Sequence, residues 1–317
     1  MTVDAILCAD THIRADTPRN RIDNFPTALQ NKFEYILKLG TKYNCPILIA
    51  GDIGHRPTWP WPLYSWFIRV VKKYKSDIIC IPGQHDLPNH KLDKMDDAPM
   101  GISAMTKMIT VLDNGYKVGV GKINVFGFPF GKEIISPFDM VSDTKQIHAL
   151  SGTDGLNRNI AITHQMVIED RPEYKGQEGT KAVNLLKNND YDLILSGDNH
   201  KPFVVQYKNK LLVNPGSMMR SNSDQAGHRP RVYLYDAENN KVVPEYLPIA
   251  KDVIKESVID TEAYKKRFDA VIENLKEKQD QSVTIDFKEN VKRYFENNRV
   301  RKNIKARVWE IIDSDDI

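Results

Sequence analysis

The chain has 317 residues, 41% of them hydrophobic, with a formal net charge of +3. That length suits one large domain with a smaller appendage, or two domains. No run reaches the roughly 18 apolar residues a membrane span requires, and so small a charge excess does not by itself argue for nucleic acid.

Taken in order, short apolar runs recur, each ending in a polar cluster. The run 3–8 ends in Asp10-Thr11-His12, and the run 47–50 ends in Gly51-Asp52. The run 78–81 leads into Pro82-Gly83-Gln84-His85-Asp86, and 159–163 stops at His164. The run 192–195 precedes Ser196-Gly197-Asp198-Asn199-His200. Runs this short and this apolar predict strands buried on both faces. Helical periodicity lies between the early ones: Phe25, Leu29, Phe33, Ile36 and Leu37 form one stripe, and Trp66, Phe67, Val70 and Val71 part of another. Alternating strands and helices predict an α/β layered fold, whose strand carboxyl ends gather in one crevice. Every motif named here falls at such an end.

Beyond His200 the pattern turns to strands without long helices, over 203–207, 211–214, 231–235 and 242–246. From about residue 251 it becomes helical, with Tyr264, Phe268, Val271, Ile272 and Leu275 on one stripe and Val300, Ile304, Val308 and Ile311 on another. The expected division is therefore 1–250 and 251–317. Cys8, Cys45 and Cys80 sit in or beside apolar runs and read as packing residues rather than disulfides. The N-terminal MTVDAILCAD enters a strand-like run without a basic leader, which leads us to expect a cytoplasmic protein of a bacterial or phage-infected cell.

Two divalent ions about 3.5–4 Å apart need a bridging carboxylate, imidazoles and further oxygen ligands. Asp10 and His12 can reach one ion from an extended turn, and Asp52 has two oxygens to share between two ions. Gln84, His164, Asp198 and His200 complete the two shells. His85 is then free to contact a scissile phosphate or protonate the leaving oxygen, with Asp86 orienting it. Each motif alone has a plainer explanation: a strand-end histidine is commonly structural, and Gly51-Asp52 alone could be a helix cap. The combination carries the reading, since four of the eight histidines end strands beside a carboxylate or amide, and His55 closely follows Asp52.

The ordered series Asp10-Thr11-His12, Gly51-Asp52-Ile53-Gly54-His55, Gly83-Gln84-His85-Asp86, His164 and Gly197-Asp198-Asn199-His200 resembles the calcineurin-like metallophosphoesterases, whose pattern is D-x-H, G-D-x-x, G-N-H-D, H and G-H-x-H. The resemblance implies a four-layer α/β sandwich, two mixed β-sheets flanked by helices, here with a small C-terminal helical region. It also implies two divalent metal ions, usually Mn²⁺, that activate water for in-line attack. Two positions depart from the pattern. Gln84 replaces an asparagine, and Asp198 replaces the first histidine of G-H-x-H, which favours Mn²⁺ or Mg²⁺ over Zn²⁺. Both belong to the second ion's shell; Asp10, His12, Asp52 and His200 of the first match the pattern.

Within that superfamily the runs 51–58 and 214–220, the latter containing Pro215-Gly216-Ser217, resemble SbcD-type DNA nucleases. The later strands match how those domains finish. This resemblance implies exonuclease or endonuclease activity in DNA end processing, recombination or repair, with an SbcC/Rad-type SMC ATPase as partner. It gives His85 the role of acid and places His55 either on the phosphate or behind Asp52. The tail is short for a cellular member, as in a compact phage version. Candidate DNA contacts are Arg220 and Arg229 after the Pro-Gly-Ser turn, and Lys292, Arg293, Arg301, Lys302 and Lys305 in a segment, 288–308, with eight basic and two acidic residues. That segment could equally be a solvated face or a docking surface for the partner. Trp59, Trp61, Tyr64 and Trp66 are either a homodimer face or outer-layer packing. Two rival functions share the site: another phosphodiesterase or phosphatase, and a scaffold that has lost one ion.

Overall fold

The computed structural model describes residues 2–113, 117–137, 157–171 and 178–251, together with Val253, Ile254, Lys292, Phe295, Glu296 and Lys305. Two six-stranded mixed sheets face each other. In the first, β1 (Ala5–Cys8), β2 (Ile47–Ile49), β3 (Ile78–Cys80) and β4 (Thr110–Val111) run parallel. The second holds β5 (Lys117–Val120), β6 (Ile123–Phe128), β7 (Arg158–Thr163), β10 (Leu193–Ser196), β11 (Phe203–Tyr207) and β12 (Lys210–Asn214). Its β6, β7, β10 and β12 are mutually parallel, and β5 and β11 close the two edges antiparallel. A small pair, β8 (Val167–Ile168) and β9 (Thr180–Lys181), stands apart. The chain then returns to the first sheet, where β13 (Arg231–Asp236) pairs antiparallel with β1 and β14 (Lys241–Tyr246) with β13.

The apolar strand sequences follow from burial on both faces. In β1, Ala5 and Leu7 point between the sheets, where they meet Val125, Ile160, Ile162, Leu193 and Leu195. The alternate residues Ile6 and Cys8 point outward to the helices. Those helices are α1 (Phe25–Tyr43) and α2 (Trp61–Tyr74). The Asn24 side chain caps α1 by accepting from the Thr27 backbone N–H at 3.1 Å, and Asn44 ends it in the left-handed conformation. All five residues of the α1 stripe are buried. On the far side of the second sheet, α4 (Ala182–Asn188) covers Phe126, Ala161, Ile194 and Leu212 with Ala182 and Leu186. A short α3 (Pro99–Met105) follows the third motif. The layers are thus helix, sheet, sheet, helix, as expected.

Sequence reading missed the β5–β6 hairpin and the short strands β4, β8 and β9, which carry too few residues for a readable period. All three cysteines are free. Tyr64 is buried, Trp59 and Trp66 pack against the helix-side core, and Trp61 alone of this group is exposed. Among the described residues no helix is long and apolar enough to cross a membrane.

The chain divides into two compact units, Met1–Glu256 and Ser257–Ile317. The first runs past residue 250 because Val253 is buried and its carbonyl accepts from the Ile22 backbone N–H at 3.0 Å. Both helical stripes expected in the tail lie outside the described residues.

Candidate metal centre

The motifs are tied together by their own backbones. Asp10 and His12 donate N–H groups to the carbonyls of Gly51 and Asp52, at 3.3 and 3.0 Å, which lashes the first motif to the second. Gly197 donates to Thr163 at 3.0 Å, and Met218 to the Asp10 carbonyl at 3.2 Å. Asp10, His12, Asp52 and Asp198 all have positive φ, at 48°, 42°, 51° and 74°. Left-handed backbone at non-glycine residues costs about 1–3 kcal/mol each and collects where a site's geometry demands it. Two glycines are fixed by close approach: a Cβ on Gly83 would lie 2.1 Å from Asp52 Oδ1, and one on Gly197 would lie 2.0 Å from the Ala50 carbonyl.

Three clusters of donor atoms result among the described residues: Asp10 with His12 and His200, Asp10 with Asp52 and His164, and His12 with His55 and His85. His12 Nε2 and His200 Nε2 converge to 3.1 Å. Asp52 Oδ2 is central, 3.4 Å from His164 Nε2, 3.8 Å from His12 Nε2 and 3.9 Å from His85 Nε2. Its other oxygen accepts the His85 backbone N–H at 2.9 Å. The His164 ring is set by Nδ1, which donates to the Ala50 carbonyl at 2.7 Å and leaves Nε2 facing the carboxylates. The Ala50 carbonyl escaped sequence reading, since a backbone acceptor leaves no trace in residue type.

Electrostatics describe a site built for positive charge. Asp10 is fully buried, and burial pushes its carboxyl up to about 6. Burial also opposes charge on His164, but the hydrogen bond and charge of Asp52 outweigh it and raise the imidazole to about 10. For Asp52, burial works against ionisation and the same His164 pairing holds it down at about 2. Burial drives His12 well below the ordinary histidine range. His55 falls to about 4, through burial and then the Arg14 charge. Buried polar atoms lacking a hydrogen-bond partner here include Asp10 Oδ2, His12 Nδ1 and Gln84 Oε1. Buried donors and acceptors are ordinarily satisfied. Orphaned oxygens and an orphaned imidazole nitrogen around two buried carboxylates fit divalent cations.

Three expectations need correction. Asp86 does not orient the His85 ring. Its carboxylate accepts the backbone N–H groups of Gly54, Gly83 and Ile53 at 2.7, 3.0 and 3.2 Å, fastening the third motif to the second. The ring is held instead by Nδ1, which donates to the His55 carbonyl at 3.0 Å. Asp198 joins none of the three clusters; its Oδ1 accepts from Gln84 Nε2 at 2.9 Å. The two departures from the family pattern therefore bind each other. Arg220 is buried at 8% exposure, with its guanidinium on the carbonyls of Ala226 and Ala250, which does not suit a surface phosphate contact.

Arg229 is exposed, 4.2 Å over the Tyr246 ring. Lys292 is exposed, and Lys305 donates to the Phe295 carbonyl at 2.6 Å. Arg293, Arg301 and Lys302 lie outside the described residues.

The sequence of residues 5–202 matches the calcineurin-like phosphoesterase family. No curated protein matches. Solved structures similar to the chain include one 15% identical, covering 78% of this chain and 100% of its own, with a TM-score of 0.48. The protein TT1561 of Thermus thermophilus is 13% identical over 78% of this chain and 99% of its own, at 0.45. A novel archaeal phosphodiesterase is 14% identical over 77% and 99%, at 0.39. These likenesses are low, and the assignment rests on the sequence match, which spans more than half of the chain in the region that supplies the clustered aspartates and histidines. The chain belongs to the calcineurin-like phosphoesterases, a family of metal-dependent phosphoester hydrolases.

Proposed function

We propose that the chain is a DNA nuclease, an exonuclease or endonuclease that hydrolyses phosphodiesters with two divalent ions, preferentially Mn²⁺. One observation carries the choice of a polymeric substrate. The metal centre opens beside a groove of about 550 Å³ lined by His55, Arg56, Thr58, Trp59 and Arg14, the last of these paired with Asp16 in the same wall. Cationic and aromatic side chains in one groove suit a phosphate backbone and its bases. Asp10, His12, Asp52, His164 and His200 would hold the ions, with Gln84 Oε1 a further buried oxygen that has no hydrogen-bond partner. Bound ions would polarise the phosphate and lower the pKa of the attacking water.

The chain's own residues supply the rest. The His55 and His85 rings stack 5.6 Å apart at the edge of the centre. With Nδ1 committed to the His55 carbonyl, His85 turns Nε2 towards the centre, 3.9 Å from Asp52 Oδ2, where it would serve a leaving oxygen. His55, held neutral at pH 7, is a hydrogen-bonding contact for the phosphate rather than a charge.

Partnership with an SbcC/Rad-type SMC ATPase rests on the resemblance of residues 51–58 and 214–220, with the 251–317 region as the contact to it or to DNA. A homodimer face would use the exposed Trp61, and the compartment would be the cytoplasm. A second reading draws on the Gln84–Asp198 hydrogen bond, which ties up part of the second shell: a phosphoesterase that binds one ion tightly. Digestion of end-labelled DNA in Mn²⁺, beside a bis-nitrophenyl phosphate substrate, tests the proposal. Loss of the label that stops on chelation supports it. Turnover of the small diester with intact DNA would assign the chain to another phosphodiesterase class.

A further inference from the structure

A second charged site lies outside the metal centre. Arg21, Lys32 and Arg220 are 7%, 6% and 8% exposed, and together they line a pocket of about 290 Å³ between α1 and the segment 248–250. Among the described residues a single carboxylate answers them. Asp23 takes Arg21 in a bidentate pair, accepting from Nε at 2.7 Å and from the terminal nitrogen at 2.6 Å. Among the described residues Lys32 has only the Met218 carbonyl, 3.3 Å from Nζ. Arg220 donates to the carbonyls of Ala226 and Ala250 at 3.1 and 2.6 Å, and its buried Nε has no partner. Among the described residues, neither Lys32 nor Arg220 has an ion-pair partner.

Buried charges are normally paired, because uncompensated desolvation costs on the order of several kcal/mol per ion. Lysine can escape by losing its proton, and burial followed by the charges of Arg21 and Arg220 pushes Lys32 down to about 7. A guanidinium has no such escape at any ordinary pH. An ammonium held by one carbonyl, the Arg220 guanidinium, and the exposed Asn31 amide at the pocket wall form a donor set without acceptors to match. Such a set suits a tetrahedral oxyanion, with arginine and lysine as charge-assisted donors.

We propose that this pocket binds an oxyanion of the phosphate class, separately from the metal centre. Its floor bears on that centre all the same. Lys32 holds the Met218 carbonyl, while the Met218 and Ser217 N–H groups donate to the carbonyls of Asp10 and His200, at 3.2 and 3.1 Å.

The test is calorimetric titration of the full-length, Mn²⁺-loaded protein with inorganic phosphate, and again with a nucleoside 5′-monophosphate, each repeated after chelation. The expected result is a phosphate site that survives removal of the metal. Lys32→Met should weaken it at least about tenfold, by removing a charged donor. Asn31→Glu changes an exposed helix position and guards against misfolding of the lysine variant. It should weaken phosphate equally, yet raise the melting temperature in phosphate-free buffer by supplying the missing negative charge. Displacement of phosphate by the nucleotide would mean that the site takes a terminal phosphate; failure to displace would mean the free ion. Phosphate binding that vanishes with the metal, or that is unchanged in both variants, overturns the proposal.

Discussion

Asp52 and His85 divide the chemistry between them at the scale of single residues. Asp52 contributes one oxygen to the ring nitrogens around it and the other to the His85 backbone, so Asp52→Ala should leave no hydrolysis above background and fewer ions per chain by elemental analysis. His85→Ala should keep its ions yet lose about 10²–10⁴-fold in kcat on an unactivated phosphodiester, with much of the rate recovered on a nitrophenyl ester that needs no acid. Equal losses on both substrates would make His85 a positioning residue. Lys32 gives a pH signature in phosphate-free buffer. Its folded-state pKa, about 7, lies below the ordinary value of 10.5, so the unfolded chain binds more protons between those limits. Stability should therefore rise with pH from about 7 towards 10, and chemical denaturation of Lys32→Met should show a flatter profile over that window. The aspartates and histidines of the centre were legible in the sequence because each closes an apolar run. Asp86 was misread because adjacency to His85 says nothing about direction: its side chain turns back to three backbone N–H groups. Nor does either residue type reveal that Gln84 and Asp198 bind each other.

At the scale of elements, the site depends on strand ends brought side by side by parallel pairing. Ile6, Ile47 and Ile78 are in register across β1, β2 and β3, which sets the first three motifs in one row. The second sheet repeats the arrangement with Ser196 beside Thr163 at the ends of β10 and β7. The five motif-bearing strands were readable since burial on both faces leaves continuous apolar runs, and the α1 stripe was readable from its period. The two-residue strands offered no such signal, whereas β6, buried at five of its six positions, carried the same apolar run and was overlooked. The glycines in the motifs do a further job that only the structure explains. Gly83→Ala would drive a methyl group into Asp52. It should lower stability by about 1–3 kcal/mol in denaturant melts and reduce metal affinity alongside. A variant that melts and binds metal like the wild type would show that the loop yields at this point.

The whole molecule places the phosphoesterase in Met1–Glu256 and leaves Ser257–Ile317 as a separate unit. A chain ending at Glu256 should stay folded, bind metal and hydrolyse small diesters, while losing salt-sensitive DNA binding if 288–308 contacts phosphates. An unchanged salt slope would remove that segment from the DNA interface. A chain ending at Ala250 should be less stable by about 1.5–3 kcal/mol, because it lacks the buried Val253 and its bond to Ile22. The clustered side chains are proposed to hold two ions. Anomalous diffraction at the manganese edge from Mn²⁺-soaked crystals measures that directly. Two peaks are expected about 3.5–4 Å apart, one contacting Asp10, His12 and His200 and the other Asp52 and His164. A single peak, or peaks away from these residues, would contradict it.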